Sequence, residues 1–206
     1  MGAWTPPGSL RAYAYLGQEE FNIDHWAAAV RRGNTFMTSG PLLLFHADGH
    51  VPGDEITLGA GGGTVEVEAQ AASYVDIHSL EIVFNGKVVA AREEHGGTRQ
   101  MTLRERVQVS GAGWLAARCA SRLGPSVAWP YGIEAHTSPV YVRVPGQELF
   151  SASSAAYLLT LIEGAETWAQ NLATRPDAER LARVLKVFGD ARDRLHRRLH
   201  EHGIPH

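Results

Sequence analysis

The run "SLEIVFNGKVVAA" sets Asn85-Gly86 between two apolar segments. A two-residue hairpin loop of type I′ requires positive φ at both central residues, and Asn-Gly meets that requirement with little strain, so the dipeptide predicts a tight β-hairpin. The same short period extends well beyond it. "TVEVEAQA" alternates apolar and polar residues, and "TLRERVQV", "GWLAARCA" and "SPVYVRV" follow at spacings that suit an all-β sandwich. Between about 35 and 145 this predicts some seven strands, with turns at Gly61-Gly62-Gly63, at Gly96-Gly97 and in "LGPSVAWPYG". Trp114 and Cys119 are both expected in the core of one strand region.

Helical spacing flanks this region on both sides. In "EFNIDHWAAAVRR", residues Phe21, Ile23, Trp26, Ala29 and Val30 recur at helical intervals, and Asn22 or Asp24 can cap the first turn. Gly33, directly after Arg31 and Arg32, sits where a helix commonly ends. After Pro145-Gly146 an apolar stripe comprises Tyr157, Leu158, Leu161, Ile162, Ala165, Trp168, Ala169 and Leu172, with Ser151, Ser153 and Ser154 available as caps. A second helix is expected to carry Pro176 in its first turn, with Asp177 and Glu179 beside it. Its inner face would hold Leu181, Leu185, Phe188, Leu195 and Leu199, which predicts an antiparallel helical pair.

At 206 residues the chain can bury a core without disulfides or a structural metal. A net charge of −3 lacks the positive footprint of a nucleic-acid binder, so no nucleic-acid partner is expected. No apolar run approaches a membrane-spanning length, and the first residues show no signal-peptide core, so no membrane partner is expected and the location is cytoplasmic if Met1 is the true start. The single cysteine, Cys119, has apolar neighbours and reads as a buried thiol.

Candidate chemistry is sparse. His196 and His200 lie one helical turn apart in a strongly cationic segment, which reads as a solvated face. His46 and His50 flank Asp48-Gly49, with Asp54 close behind, a cluster that could hold a cation although a tight turn needs the same residues. "TSGP" at 38 to 41 lacks the strand-turn-helix order of a nucleophile elbow, and the glycines at 61 to 63 precede a strand, so they offer no helix terminus to a phosphate. No catalytic residue, metal ligand or cofactor site is therefore assigned. The candidate ligand or partner surface is Trp129, Tyr131 and His136, aromatics and a histidine in and after a long loop between two expected core strands.

A set of local motifs then carries a family resemblance. Trp26, Arg32-Gly33-Asn34-Thr35-Phe36, Thr38, Gly40-Pro41, Pro52-Gly53-Asp54, Leu80-Glu81-Ile82-Val83 with Asn85-Gly86, Gly113-Trp114 with Arg118, and "AHTSPVYV" resemble the C-terminal part of CehA/McbA-type, carbaryl-hydrolase-like metallohydrolases of the PHP superfamily. The resemblance covers most of residues 1 to 145 and is looser in the helical tail. In such proteins a metal-binding α/β barrel precedes an immunoglobulin-like sandwich, and the barrel's His-x-His and Gly-[ST]-Asp-x-His segments have no counterpart here. The resemblance implies a remnant barrel strand and helix in 1-34, an immunoglobulin-like sandwich in 35-146 and a helical hairpin in 147-206. It makes "TFMTSGP" the exit from one fold unit and the start of the next.

Functionally it implies a non-catalytic accessory module, partnered by a metal-binding barrel of the same or a neighbouring gene product and shaping substrate access to it. The alternatives are a stand-alone ligand- or protein-binding sandwich, and a small hydrolase built on His46, Asp48, His50 and Asp54. Without its barrel, the 20 to 32 helix is expected to seek another apolar surface, which favours a homodimer.

Overall fold

The computed structural model describes residues 8–123, 132–174 and 177–204. The chain divides into two units, Met1–Glu148 and Leu149–His206. The first is mainly β, an immunoglobulin-like antiparallel sandwich carrying one helix, and the second is a helical pair.

The Asn85-Gly86 hairpin forms as expected. Asn85 has φ 49° and Gly86 φ 82°, and the turn joins β5 (Gly63–Phe84) to β6 (Lys87–Val109). These strands are far longer than the separate runs in the sequence suggest. "TVEVEAQA" and "SLEIVF" belong to one strand, and Gly96-Gly97, expected in a turn, lies within β6. The glycines serve a pair of compensating bulges instead. Ala72 pairs with Gln100 and Ile77 with Thr98, so β5 carries the extra residues; Ser79 then pairs with Glu93, so β6 carries them. Gly97 has φ 75°, and a Cβ there would lie 2.7 Å from that of Asp76, which only glycine avoids. Across this region the buried phase of β5 switches from Val65, Val67, Ala69 and Ala71 to Leu80 and Ile82.

That switch lets one hairpin serve both layers. The early half of β5 lies between β3 (Leu42–Ala47) and the late half of β6. Its late half lies between the early half of β6 and β7 (Gly113–Ala120). From β7 the second layer continues through β8 (Glu134–Thr137) and β2 (Thr35–Thr38) to β1 (Arg11–Ala14). Beside β8, β9 (Val140–Arg143) pairs with β7 and, in parallel, with β4 (Glu55–Thr57). The strand read as a barrel remnant is thus the edge of the sandwich's own sheet, pairing Arg11 with Thr38 through Ala14 with Thr35. Between the layers, Leu43, Phe45, Val65, Val67, Ile82, Met101, Leu115, Cys119 and Val140 form one buried cluster.

Trp114 is half-buried, whereas Leu115, Ala117 and Cys119 are buried. Strand alternation accounts for this, because residues 114 and 119 differ in parity and point to opposite faces. Trp114 instead stands beside Tyr141 across the β7–β9 pair.

α1 (Ile23–Arg32) begins at Asn22, whose side chain accepts the His25 N–H, and ends at Gly33 with φ 82°. Gly33 and Asn34 N–H groups donate to Val30 and Ala29 carbonyls, a left-handed terminus that glycine adopts without strain.

In the second unit, α2 (Ala152–Asn171) starts at Ser151 and α3 (Ala178–Glu201) starts at Asp177, whose carboxylate accepts the Arg180 N–H at 2.7 Å. Pro176 lies outside the described residues. Glu166 pairs with Arg192 at 2.5 Å, and Phe150 stacks on His202 at 3.9 Å, so the two helices run antiparallel. The α3 face contains Leu199 and Leu195 as expected. The α2 stripe is met only in part: Ala169 is buried and Ile162 and Ala165 are half-buried as expected, whereas Tyr157, Leu158, Leu161, Trp168 and Leu172 are exposed and Ala155 and Leu159 are buried instead. Small residues set the contact on α2, and hydrophobicity alone favoured the larger ones.

Candidate functional site

The junction "TFMTSGP" is a crossover between layers. β2 belongs to the second layer and β3 to the first, and Ser39 to Pro41 carry the chain across. The hydroxyls there are all engaged: Ser39 Oγ donates to Gly132 O at 2.6 Å and accepts from Glu134 N at 2.9 Å, Thr38 Oγ1 accepts from Gly40 N at 2.8 Å, and Thr35 Oγ1 shares a hydrogen bond with Ser138 Oγ at 2.7 Å. Asn34, 7% exposed, donates to Pro52 O at 2.6 Å and accepts from Arg32 Nε at 3.0 Å. Gly53 packs against this corner; a Cβ there would lie 2.3 Å from Arg32 O. The residues around the seam thus hold a corner together.

The His46, Asp48, His50 and Asp54 cluster does not converge. Asp48 (φ 46°) and Gly49 (φ 78°) form the turn, and Asp48 Oδ1 accepts from Glu66 N at 2.8 Å. Asp54 Oδ2 accepts from Val51 N at 3.0 Å and lies 3.7 Å from His50 Nδ1. His46 stands on β3 opposite Glu68. Glu68 is engaged by Arg104 at 2.7 Å and by Gln70 at 2.6 Å, and these bonds hold its carboxyl below the usual carboxylate range. Among the described residues no group of three His, Cys, Asp or Glu side chains could hold an ion.

Of the candidate surface Trp129, Tyr131 and His136, the first two lie outside the described residues. His136 is exposed on β8 between Met37 and Arg118. Its imidazole Nδ1 lies 3.4 Å from Thr137 O. Cys119 is 2% exposed, and desolvation pushes its thiol up to about 12, which keeps it protonated and unreactive.

Two surface features stand out, the first expected for the 20 to 32 helix and the second missed by residue-by-residue reading of the sequence. The first is an uncovered apolar surface on residues 10 to 30. Phe21 is 76% and Ile23 70% exposed, and Leu10, Tyr13, Tyr15, Trp26 and Val30 are exposed with them. Only Ala29 of α1 is fully buried.

The second is a cleft of about 580 Å³ beside β3. The first layer ends at β3, which lies over β7 and β8, whereas the second layer runs on to β2 and β1. The inner side of that overhang carries Phe36 and Tyr13, whose rings stack at 5.0 Å, with Tyr15 following. Leu42 to His46 form the opposite wall, which continues over Gln70 to Ala72 of β5 and Gln100 to Thr102 of β6, and Val51 and Pro52 also line the cleft. Among the described residues that line it there is no Asp, Glu, Lys or Arg. Such a cleft depends on the difference in layer width, which alternation patterns do not encode.

No protein-family model matches the chain, and no curated protein matches it. Among solved structures, fibronectin(III)-like modules of CbhA from Clostridium thermocellum align at 15% identity with a TM-score of 0.31, covering 49% of this chain and 94% of theirs. A lytic polysaccharide monooxygenase from Jonesia denitrificans aligns at 15% identity with a TM-score of 0.29, covering 46% of this chain and 58% of that one. Likenesses this distant carry nothing about function.

Proposed function

We propose that the chain is a non-catalytic C-terminal accessory module of a PHP-type metal-dependent hydrolase, packing on the metal-binding barrel and shaping substrate access to it. The motif resemblance suggests the parent, and the uncovered surface of residues 10 to 30 is the observation that carries the packing. Scattered exposed hydrophobics are ordinary on a protein surface, but a concentrated series on one short stretch is what an interaction site presents. β1 also has an unpaired outer edge, since β2 is its sole sheet neighbour among the described strands. A covering domain would bury Phe21 and Ile23 and screen that edge together.

The test is the native gene product, tagged at its C-terminus, purified from its source cells and mapped by peptide mass spectrometry. The reading expects a barrel sequence with His-x-His and Gly-[ST]-Asp-x-His segments, either in the same polypeptide or in a stoichiometric complex. A native product of this chain's mass with no barrel partner would overturn it. A stand-alone binding module is the second reading, supported by the cleft beside β3.

A further inference from the structure

We propose that the free face of α2 pairs with the same face of a second copy of this chain, antiparallel and centred on Ala165, to close a four-helix bundle. Two strips on α2 are the first ground. Ala155, Leu159, Ile162, Glu166, Ala169 and Ala173 recur at alternating intervals of four and three residues, and all are buried or half-buried. This strip faces α3, which Glu166 reaches through Arg192. Leu158, Leu161, Ala165, Trp168 and Leu172 recur in the same way on the adjoining strip, yet the four large ones are 49% to 75% exposed. Such a repeat is what one helix presents to another, and α3 occupies only the first. The charges of α2, Glu163 and Glu166, both lie off the second strip, whereas a helix face turned to water carries polar and charged groups.

The order of sizes along the strip names the partner. Ala165, beside Gly164, stands at its centre, Leu161 and Trp168 flank it, and Leu158 and Leu172 lie seven residues away on either side. A copy turned end over end about Ala165 sets Leu158 of one chain against Leu172 of the other, and Leu161 against Trp168. The small residues at the crossing let the two backbones approach, and the large ones close around them. An unrelated partner would impose no such symmetry on the pattern, whereas a two-fold contact requires a patch that complements itself.

Area is the third ground. On α3, Val184 and Val187 are exposed and follow the half-buried Leu181 with the offset by which Leu158 and Leu161 follow Ala155. In antiparallel helices equal offsets fall on one side of the pair, so these valines widen the same face. The exposed parts of Leu158, Leu161, Trp168, Leu172, Val184 and Val187 present roughly 600 Å² per copy, and a pair would bury about 1,200 Å², the lower end of stable interfaces. The hairpin also lacks a core of its own, since Ala155, Leu159, Ala169 and Leu199 are its fully buried apolar residues among those described. A second hairpin supplies the missing layer. The inference needs no barrel and stands apart from the proposed accessory role.

The test uses the full chain carrying Phe21→Asp and Ile23→Asp, which removes association through the N-terminal surface. Sedimentation across a concentration series should give a dimer mass, and adding Leu161→Glu with Trp168→Glu should raise the dissociation constant about tenfold or more. Geometry is read separately from added cysteines, because Cys119 is buried and does not compete for reagent. With a short bismaleimide, Ala165→Cys should cross-link to itself, and Leu158→Cys should join Leu172→Cys in a mixture more readily than either joins itself. Thr167→Cys, on the far side of α2, should stay uncoupled. The cross-links decide the matter even if the double glutamate variant is unstable. A monomer mass at every concentration, coupling of Thr167→Cys as ready as that of Ala165→Cys, or Leu158→Cys joining itself in preference to Leu172→Cys would each overturn the proposal.

Discussion

Raising the pH should destabilise this protein partly through Cys119. The thiol is 2% exposed on β7, and desolvation moves it from an ordinary value of 9.0 to about 12. With the folded value above the unfolded one, the folded state holds its proton longer. The contribution is full below pH 9 and is lost as pH rises from 9 towards 12, because only the unfolded chain gains by releasing the proton. Each unit is worth about 1.4 kcal/mol, so at a pH of about 10.5 the loss is about 2 kcal/mol. Other groups titrate in this range, which makes Cys119→Ala the necessary reference. Urea unfolding of both proteins, followed by circular dichroism near pH 8 and again near 10.5, should show their stability difference changing by about 2 kcal/mol against the wild type. A difference independent of pH would mean that the thiol is solvated or displaced, and would refute the phase assigned to β7.

The same strand supplies a second test. Leu115→Ala removes a fully buried side chain and should cost about 3 kcal/mol, whereas Trp114→Ala should cost under about 1.5 kcal/mol, both read from urea midpoints. Asn34→Ala leaves Pro52 O without its buried donor, so a loss of about 1 to 3 kcal/mol is expected by the same measurement. Phe21→Asp with Ile23→Asp should leave the unfolding midpoint within about 0.5 kcal/mol of wild type, since both side chains face solvent in this chain. Light scattering of that double variant should also show less self-association.

Local features of the fold were legible wherever a backbone requirement names its residue. Asn85-Gly86 specified the hairpin, Asn22 and Gly33 the ends of α1, and Ser151 the start of α2. What failed was phase and continuity. Gly96-Gly97 read as a turn because glycine pairs usually mark one, yet here the positive φ of Gly97 relieves a bulge between strands that carry on. The α2 stripe held at Ile162, Ala165 and Ala169 and misled elsewhere, because helix contact buries Ala155 and Leu159 while size drew attention to Tyr157 and Trp168. Trp129 and Tyr131 lie outside the described residues, while the cleft beside β3 arises from strands distant in sequence.

The accessory role predicts that residues 10 to 32 are covered in the native protein. Hydrogen exchange of that segment, compared between the 206-residue chain and the product purified from its source cells, tests this directly. The account predicts fast exchange of β1 and α1 amides in the isolated chain and at least tenfold slower exchange in the native product. Equal exchange in the two, with Phe21 and Ile23 as accessible in one as in the other, would contradict it.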